Sequence, residues 1–299
     1  MPFVRRDEFA WKLRSCTLTL GPRTFIMGVL NITPDSFSDG GLFDTTEAAT
    51  VHALRLFNEG ADILDIGGES TRPGRHTLVA ADEEQHRVLP VIESILQARP
   101  DAVLSIDTWH ASTARAAVNA GAEIVNDISG FLWDPEMART CFDLECGVVL
   151  MHARGRPEEW RTLPSLEPDE ILPLVGSGLE LSMDKAFTTG IDGARIVIDP
   201  GYGFGKSFNE NFPLLARQHE LRALGRPILA GLSRKSFLGR ALASLYNGSD
   251  APITERGNAT IAATTAAILN GAHIVRVHDV RPAIEAARIA DAILQGTSA

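Results

Sequence analysis

Polar or glycine-rich clusters follow short apolar segments at eight places along this chain, and this alternation constrains the fold more than any other feature. The clusters are Asn31, residues 67–72, Asp107, Asn126, Met151-His152, Asp199, residues 233–235 and residues 276–278. In a (β/α)₈ barrel the parallel strands end at one rim, so residues distant in sequence surround one pocket. The alternation therefore predicts an α/β fold, a (β/α)₈ TIM barrel with its chemistry on one face.

The apolar segments predict strands near 25–30, 62–66, 102–106, 122–126, 147–151, 195–199, 227–232 and 273–277. Helices are predicted near 45–60, 82–98, 110–120, 134–145, 167–190, 209–224, 255–271 and 281–294. Residues 1–24 are predicted to form an N-terminal β-hairpin extension over the barrel floor, and residues 25–299 a single barrel domain. A doubly wound Rossmann sheet is the main alternative, but it would concentrate its chemistry at one crevice.

Composition narrows the class of protein. The 299 residues carry a net charge of -10, which argues against a nucleic-acid partner or an anionic membrane surface. No apolar segment approaches the roughly 20 residues of a membrane span, and no signal core follows the N-terminus. The three cysteines lack a CxxC pair, so we expect buried, reduced thiols. The sequence therefore predicts a cytoplasmic enzyme that binds neither nucleic acid nor a membrane.

Carboxylates follow two fully apolar strands. Asp107 and Asp199 stand where desolvation is costly, so each needs hydrogen-bond donors. Together with the amide of Asn126, they would suit a small planar heterocycle that presents several N–H groups. For Asp107, capping of the following helix is the alternative.

Cationic residues stand at other strand ends. Arg72 lies in a glycine-containing loop suited to phosphate, and Lys235 follows the seventh barrel strand. Arg276 and His278 alternate onto the same side, where they could clamp a diphosphate. The alternatives are an ordinary βα turn for the loop at residues 67–74, which contains Arg72, and a solvated basic pair at residues 234 and 235.

The sequence contains neither a nucleotide-binding P-loop nor a zinc-binding HExxH motif. Residues 201–207 resemble a P-loop, but Pro200 occupies the position where that motif requires glycine, so a nucleotide-binding loop is excluded. Phe204 in this segment is expected to pack either against an aromatic substrate or within its own loop. No HExxH motif is present, and His110 lies in a helix-like segment as a predicted surface or satisfied group. A structural zinc site is therefore not expected.

Taken together, the motifs at residues 27–41, 67–74, 105–107, 125–127, 150–152, 199–206, 233–236 and 276–279 resemble the dihydropteroate synthase family. Members are pterin-binding barrels of folate biosynthesis. They are transferases that join 6-hydroxymethyl-7,8-dihydropterin diphosphate to p-aminobenzoate, with release of diphosphate, by a dissociative (SN1-like) displacement. The resemblance implies the same activity here.

The resemblance also implies residue roles. Pterin binding falls to Asp107, Asn126, Met151, Asp199, Lys235 and Arg276. Diphosphate binding falls to Asn31, Arg72, Arg276 and His278, with Mg²⁺ at Asn31. The p-aminobenzoate site comprises Phe37, Thr71, Pro73, Phe204, Lys235 and Ser236. The catalytic set is Asn31, Asp39, Arg72, Lys235, Arg276 and His278, with Asp39 close to the reacting methylene.

Family membership would further imply a homodimer and a target of sulfonamides. Ala153 and residues 75–79 depart from the usual family pattern and leave sulfonamide sensitivity open. Two rival functions remain at this point. A corrinoid-dependent methyltransferase would lack the long first loop and the Ser-Arg-Lys-Ser segment, and a noncatalytic pterin-binding paralogue would have lost diphosphate residues.

Overall fold

The structure is a computed structural model that describes residues 3, 5–32, 42–69 and 79–296, with only the backbone described at 42–45. Within these ranges, eight parallel strands close into a barrel, and the (β/α)₈ prediction is confirmed. The barrel strands are β3 Phe25–Asn31, β4 Ile63–Gly67, β5 Leu104–Asp107, β6 Ile124–Asp127, β7 Gly147–Met151, β8 Ile196–Asp199, β9 Ile228–Ala230 and β10 Ala272–Val277. Neighbouring strands follow the chain order, and β10 pairs with β3 to close the barrel.

Helices connect the strands on the outside of the barrel. They are α1 Leu42–Glu59, α2 Ala81–Ala98, α3 Ala111–Asn119, α4 Met137–Leu144, α5 Ile171–Thr189, α6 Phe208–Ala216, α7 Ser236–Ala241, α8 Gly257–Leu269 and α9 Val280–Gly296. The segment predicted as one helix at 209–224 is divided, because α6 ends at Ala216 and Gln218–Leu224 is a 3₁₀ helix. The six-residue α7 was not predicted, since fewer than two turns give no amphipathic pattern.

An antiparallel hairpin closes the amino-terminal end of the barrel. It consists of β1 Phe9–Lys12 and β2 Thr17–Leu20, as predicted. Trp11, Leu13 and Leu20 are buried and pack with the first interior side chains of the barrel strands. The indole Nε1 of Trp11 donates a hydrogen bond to the carbonyl of Arg195 at 2.9 Å. The hairpin is therefore a plug at the floor of the barrel.

The barrel interior is built in two chemically different layers. The floor layer is apolar and comprises Met27, Ile63, Ile124, Val149, Val197, Leu229 and Ile274. Side chains two positions further along a strand point to the same side. They form the next layer towards the carboxyl ends, which comprises Val29, Asp65, Asn126, Met151, Asp199, Gly231 and Arg276. The same alternation that makes the floor apolar therefore places charged side chains together above it.

Two of the three cysteines match the prediction of buried thiols. Cys141 and Cys146 are buried, whereas Cys16 is exposed in the connection between β1 and β2, so the prediction was wrong for Cys16. All three are free of disulfide bonds.

No helix within residues 42–69 and 79–296 is both long enough and apolar enough to cross a membrane.

Candidate active site

A cavity of about 490 Å³ opens at the carboxyl ends of the barrel strands. Every predicted site residue that falls within the described part of the chain lines it: Asn31, Asp107, Asn126, Met151, Asp199, Phe204, Lys235, Ser236, Arg276 and His278. The remaining predicted residues, Phe37, Asp39, Thr71, Arg72 and Pro73, lie outside the described residues. The ten predicted residues that line the cavity lie at or just after the carboxyl ends of seven of the eight barrel strands, and β4 is the exception.

Arg276 is held at the bottom of the cavity by two carboxylates. Its Nε donates to Asp65 at 2.5 Å, and its Nη2 donates to Asp107 at 2.6 Å. Asn126 Nδ2 donates to the same oxygen of Asp65 at 3.0 Å. The Asp107 carboxylate therefore binds a guanidinium, and the alternative in which it caps α3 is wrong, since His110 is the residue that precedes α3.

Asp65 was not predicted as a site residue. It is fully buried in β4, and it links Arg276 and Asn126. One signal for it exists in the sequence, because a single carboxylate interrupts an otherwise apolar strand, and a buried carboxylate requires donors.

Burial changes the acidity of the carboxylates in the cavity. Desolvation raises the pKa of Asp199 to about 6, although its Oδ1 accepts a hydrogen bond from the Gly201 amide at 2.7 Å. Desolvation also raises the pKa of Asp107, and the Arg276 guanidinium offsets part of this effect. Despite its own desolvation, the pKa of Arg276 is raised further by Asp65 and Asp107. Arg276 is therefore a permanent cation between two carboxylates.

Acceptor atoms are left over in this layer. Asn126 Oδ1 and Asp65 Oδ1 are buried and have no hydrogen-bond partner among the described residues. A buried polar atom without a partner is costly, and a bound molecule that supplies N–H groups would remove that cost. Asn126 and Asp199 both border the cavity, so a donor-rich ring edge is the group that fits between them.

Lys235 lies against a small aromatic wall that Phe204 and Trp160 form at the cavity. Its Nζ lies 3.9 Å from the centroid of the Phe204 ring. Trp160 packs on the same ring edge-to-face, with centroids 5.5 Å apart. Burial lowers the pKa of Lys235 to about 8. Met151 and Ile128 join Phe204 in one apolar cluster, which gives the cavity a face suited to a flat ring.

The neighbouring cations have different roles. Arg234 donates from Nε and Nη2 to the Asp279 carboxylate, at 3.1 and 2.7 Å, so Arg234 lines the cavity with its charge already paired. His278 Nδ1 lies 3.0 Å from the hydroxyl of Ser233, which fixes the imidazole at the end of β10. Lys235 and Arg256 also line the cavity, and neither forms an ion pair with a carboxylate within the described residues, although Arg256 donates to the carbonyls of Ala251 and Arg234.

The glycine-rich segment after β8 is a tight turn and not a phosphate loop. Lys206 Nζ donates to the carbonyls of His152, Gly201 and Phe204, at 3.0, 2.8 and 3.2 Å. Gly201 has φ +66°, and a Cβ there would lie 2.0 Å from the carbonyl oxygen of His152. The segment is therefore not a P-loop, because Lys206, at the position of the phosphate-binding lysine, donates its hydrogen bonds to backbone carbonyls instead.

Comparison with known proteins defines the class. The family model described as pterin binding enzyme matches residues 27–278, from the third residue of β3 to the residue after β10. The match includes the described residues that line the cavity. The fold and the site together therefore define a barrel enzyme of the pterin-binding class.

The relatives define the family within that class. The dihydropteroate synthase of Bacillus subtilis is 42% identical over 277 residues, which cover 93% of this chain and 91% of that protein. The crystal structure of a Clostridium difficile dihydropteroate synthase with pteroic acid has a TM-score of 0.83 at 42% identity, covering 92% of this chain and 98% of that one. A Xanthomonas albilineans dihydropteroate synthase in complex with 7,8-dihydropteroate has a TM-score of 0.79 at 40% identity, covering 94% and 97%. The chain belongs to the dihydropteroate synthase family.

Proposed function

We propose that this chain condenses 6-hydroxymethyl-7,8-dihydropterin diphosphate with p-aminobenzoate to give 7,8-dihydropteroate and diphosphate. The observation that carries the proposal is one cavity in which the unpaired Oδ1 of Asn126 and the carboxylates of Asp107 and Asp199 lie beside Lys235. This arrangement suits a ring that presents N–H donors along one edge and carries an anionic group. Solved relatives bear 7,8-dihydropteroate or 4-aminobenzoic acid, which supports both halves of the reaction.

The pterin would lie over the charged layer of the barrel. Its amino and ring N–H groups would donate to Asp107, Asn126 and Asp199, whose acceptors are fixed by surrounding hydrogen bonds. Lys235 would donate to a ring acceptor, and Met151 would pack on one face of the bicycle. The preformed ion pairs of Arg276 keep this layer in place before the substrate arrives.

The diphosphate would lie towards Asn31, Arg276 and His278, which line the same cavity. Arg276 donates through Nε and Nη2 to carboxylates, and its Nη1 has no hydrogen-bond partner among the described residues, so the N–H groups of Nη1 remain for an anion. Arg72 is predicted to add a second guanidinium, but it lies outside the described residues.

The Asn31 side chain fits a magnesium ion. It lines the cavity, and its amide oxygen is the hard donor that Mg²⁺ accepts. Mg²⁺ commonly takes few protein ligands together with substrate phosphate oxygens and water, which agrees with a single oxygen donor at this position. Bound there, the ion would supply positive charge to the departing diphosphate.

The chemistry needs no activated nucleophile from the protein. An aryl amine is neutral and nucleophilic at pH 7, so a Ser-His-Asp or Cys-His unit is unnecessary. The barrier lies in expelling diphosphate, and fixed cations such as Arg276 stabilise the negative charge that develops on it. The electron-rich pterin can spread positive charge from its methylene in a dissociative transition state. Phe204, Lys235 and Ser236 would then orient the amine towards that carbon.

A product assay separates this function from its two rivals. The chain is mixed with the pterin diphosphate, p-aminobenzoate and Mg²⁺, and both 7,8-dihydropteroate and diphosphate are measured. Formation of the two products in equal amounts is the expected result. Binding without turnover would favour the noncatalytic paralogue, and methyl transfer from a methylated folate to a corrinoid would favour the methyltransferase. Removal of Mg²⁺ by a chelator should lower the rate, and restoring the ion should recover it.

Three further properties stay predictions. A homodimer is expected from the family, and sedimentation equilibrium would measure it. Sulfonamides are expected to compete with p-aminobenzoate, which inhibition at varied p-aminobenzoate concentration would measure. A cytoplasmic location is expected from the sequence, and fractionation of cells that express the chain would test it.

A further inference from the structure

A second cluster of metal-ligand side chains lies outside the cavity. Glu69 follows β4, Glu84 lies in the first turn of α2, and His110 immediately precedes α3. One potential ligand atom from each lies within 4.8 Å of the other two. Glu69 and Glu84 lie 15 positions apart in the crossover between β4 and β5, and His110 lies in the next crossover, so the sequence does not reveal that the three meet.

Glu84 is the best-defined member of this cluster. It is fully buried, its Oε2 accepts a hydrogen bond from the Thr108 hydroxyl at 2.9 Å, and the same oxygen lies 3.0 Å from His110 Nδ1. Its Oε1 is buried and has no hydrogen-bond partner among the described residues. A buried carboxylate oxygen without a donor is costly, and a bound cation would remove the cost.

Glu69 adds a second buried carboxylate. Its Oε2 accepts from Trp109 Nε1 at 3.2 Å, and it is 8% exposed. Neither Glu69 nor Glu84 forms an ion pair with a lysine or arginine within the described residues, and His110 is the only basic partner of Glu84 there. The cluster therefore gathers two carboxylates around one imidazole.

We propose that Glu69, Glu84 and His110 bind one divalent transition-metal ion, with Zn²⁺ the best match. One imidazole nitrogen and two carboxylate oxygens make a three-ligand set that leaves a fourth position for water. Imidazole suits Zn²⁺ and its neighbours, whereas Mg²⁺ and Ca²⁺ prefer oxygen alone. An ion of charge +2 offsets both carboxylates. Binding of the ion would release the proton that His110 Nδ1 shares with Glu84, and that proton would pass to solvent.

An ion here would tie two consecutive crossovers together. It would join Glu69, two residues after β4, to the first turn of α2 and to the residue that precedes α3, with Thr108 and Trp109 holding its ligands in place. Hydrogen bonds of this kind orient metal ligands and raise their affinity. Glu69 directly precedes residues 70–78, which include the predicted substrate residues Thr71, Arg72 and Pro73. The ion would thus fix the position from which that segment starts.

Calorimetric titration of chelator-treated, untagged chain with ZnCl₂, in the absence of substrates, tests the proposal. We expect one Zn²⁺ per chain and a rise in melting temperature. His110→Lys is the decisive variant, because an ammonium still offsets the carboxylates but cannot bind zinc while protonated. It should stay folded by circular dichroism and lose the Zn²⁺-dependent rise. Glu84→Gln should weaken binding by at least about tenfold, since even residues that only orient a ligand contribute roughly 10–100-fold.

A matched control is His86→Ala, because His86 lies on α2 with its ring bound to the Asp82 carbonyl and takes no part in the cluster. It should bind Zn²⁺ as the unaltered chain does. Equal Zn²⁺ affinity and equal thermal shifts in the unaltered chain and His110→Lys would overturn the proposal. So would the absence of binding to the unaltered chain, which would leave protonated His110 as the partner of Glu84. Visible absorption of a Co²⁺-loaded chain that is lost in His110→Lys would support it independently of stability.

Discussion

Arg276 and Asp65 form an ion pair of 2.5 Å inside the barrel, one layer above its apolar floor. Asp65 has no access to solvent, and the same carboxylate accepts from Asn126. The pair therefore couples a predicted diphosphate ligand to a predicted pterin ligand through a residue that is not among those lining the cavity.

Asp65→Asn should weaken pterin diphosphate binding, because the substitution removes the charge that fixes Arg276 and disturbs the partner of Asn126. The expected loss is about 1–3 kcal/mol, as for a hydrogen bond to a buried charged group. Calorimetric titration with the pterin diphosphate measures it. Asp62→Asn is the control, since Asp62 binds Arg23 outside the cavity. Equal affinities in the two variants would contradict the coupling.

Asp199→Asn and Lys235→Ala should each weaken pterin recognition. Either change leaves a polar group of the buried ring without its partner, at a cost on the order of 1–3 kcal/mol. Titration with the pterin alone, without diphosphate, isolates this contribution. Near-native affinity in both variants would remove these residues from the pterin site.

The pH profile of kcat/KM for the pterin diphosphate should be bell-shaped. Burial raises the pKa of Asp199 to about 6, so protonation removes an acceptor as the pH falls through that value. Burial lowers the pKa of Lys235 to about 8, so the cation is lost as the pH rises through that value. The limbs of the profile should fall near these values in the free enzyme. Lys235→Arg should move the alkaline limb upwards, and an unmoved limb would assign it to another group.

Phe204→Ala should raise KM for p-aminobenzoate and leave pterin affinity unchanged, because Phe204 lines the wall beside Lys235. Phe37→Ala, in the first loop outside the described residues, is expected to act in the same direction. Steady-state kinetics with each substrate varied in turn measure the effect. Phe142→Ala, at a half-exposed position on α4, serves as the control. Equal losses for both substrates would show that the wall does not select the amine.

Trp11→Ala should destabilise the fold without changing KM for either substrate. Trp11 is 1% exposed and plugs the floor, away from the cavity, and truncation of a buried Trp costs about 3–5 kcal/mol. Chemical denaturation measures the free energy of unfolding, and steady-state assays at low temperature measure KM. A lower affinity for substrates at full folding would indicate that the floor and the rim are coupled.

The sequence predicts those features of the site that depend on the direction of the chain and on the two-residue period of the strands. Asn126, Asp199 and Arg276 could be assigned to one rim because each begins a polar segment at the end of an apolar strand, and parallel strands end together. Asp65 could not be assigned in the same way, because it lies within a strand and its importance comes from Arg276 at the far end of the chain.

Side-chain contacts between different crossovers also could not be predicted from the sequence. His110 was interpreted as a surface or satisfied group, yet it meets Glu84 across 26 positions. Lys206 lies in a segment resembling a phosphate loop, and only its three backbone acceptors reveal that it stabilises a turn. Such contacts depend on how helices pack around the barrel, which local pattern does not specify.

The exposure of Cys16 has a practical consequence. Cys141 and Cys146 are enclosed by the core, so a thiol-selective reagent applied to the folded chain should modify a single position. That position lies on the hairpin beneath the barrel, at the end remote from the substrate entrance. A fluorophore or a surface tether attached there would leave the mouth of the barrel open, so turnover could be followed on an immobilised enzyme.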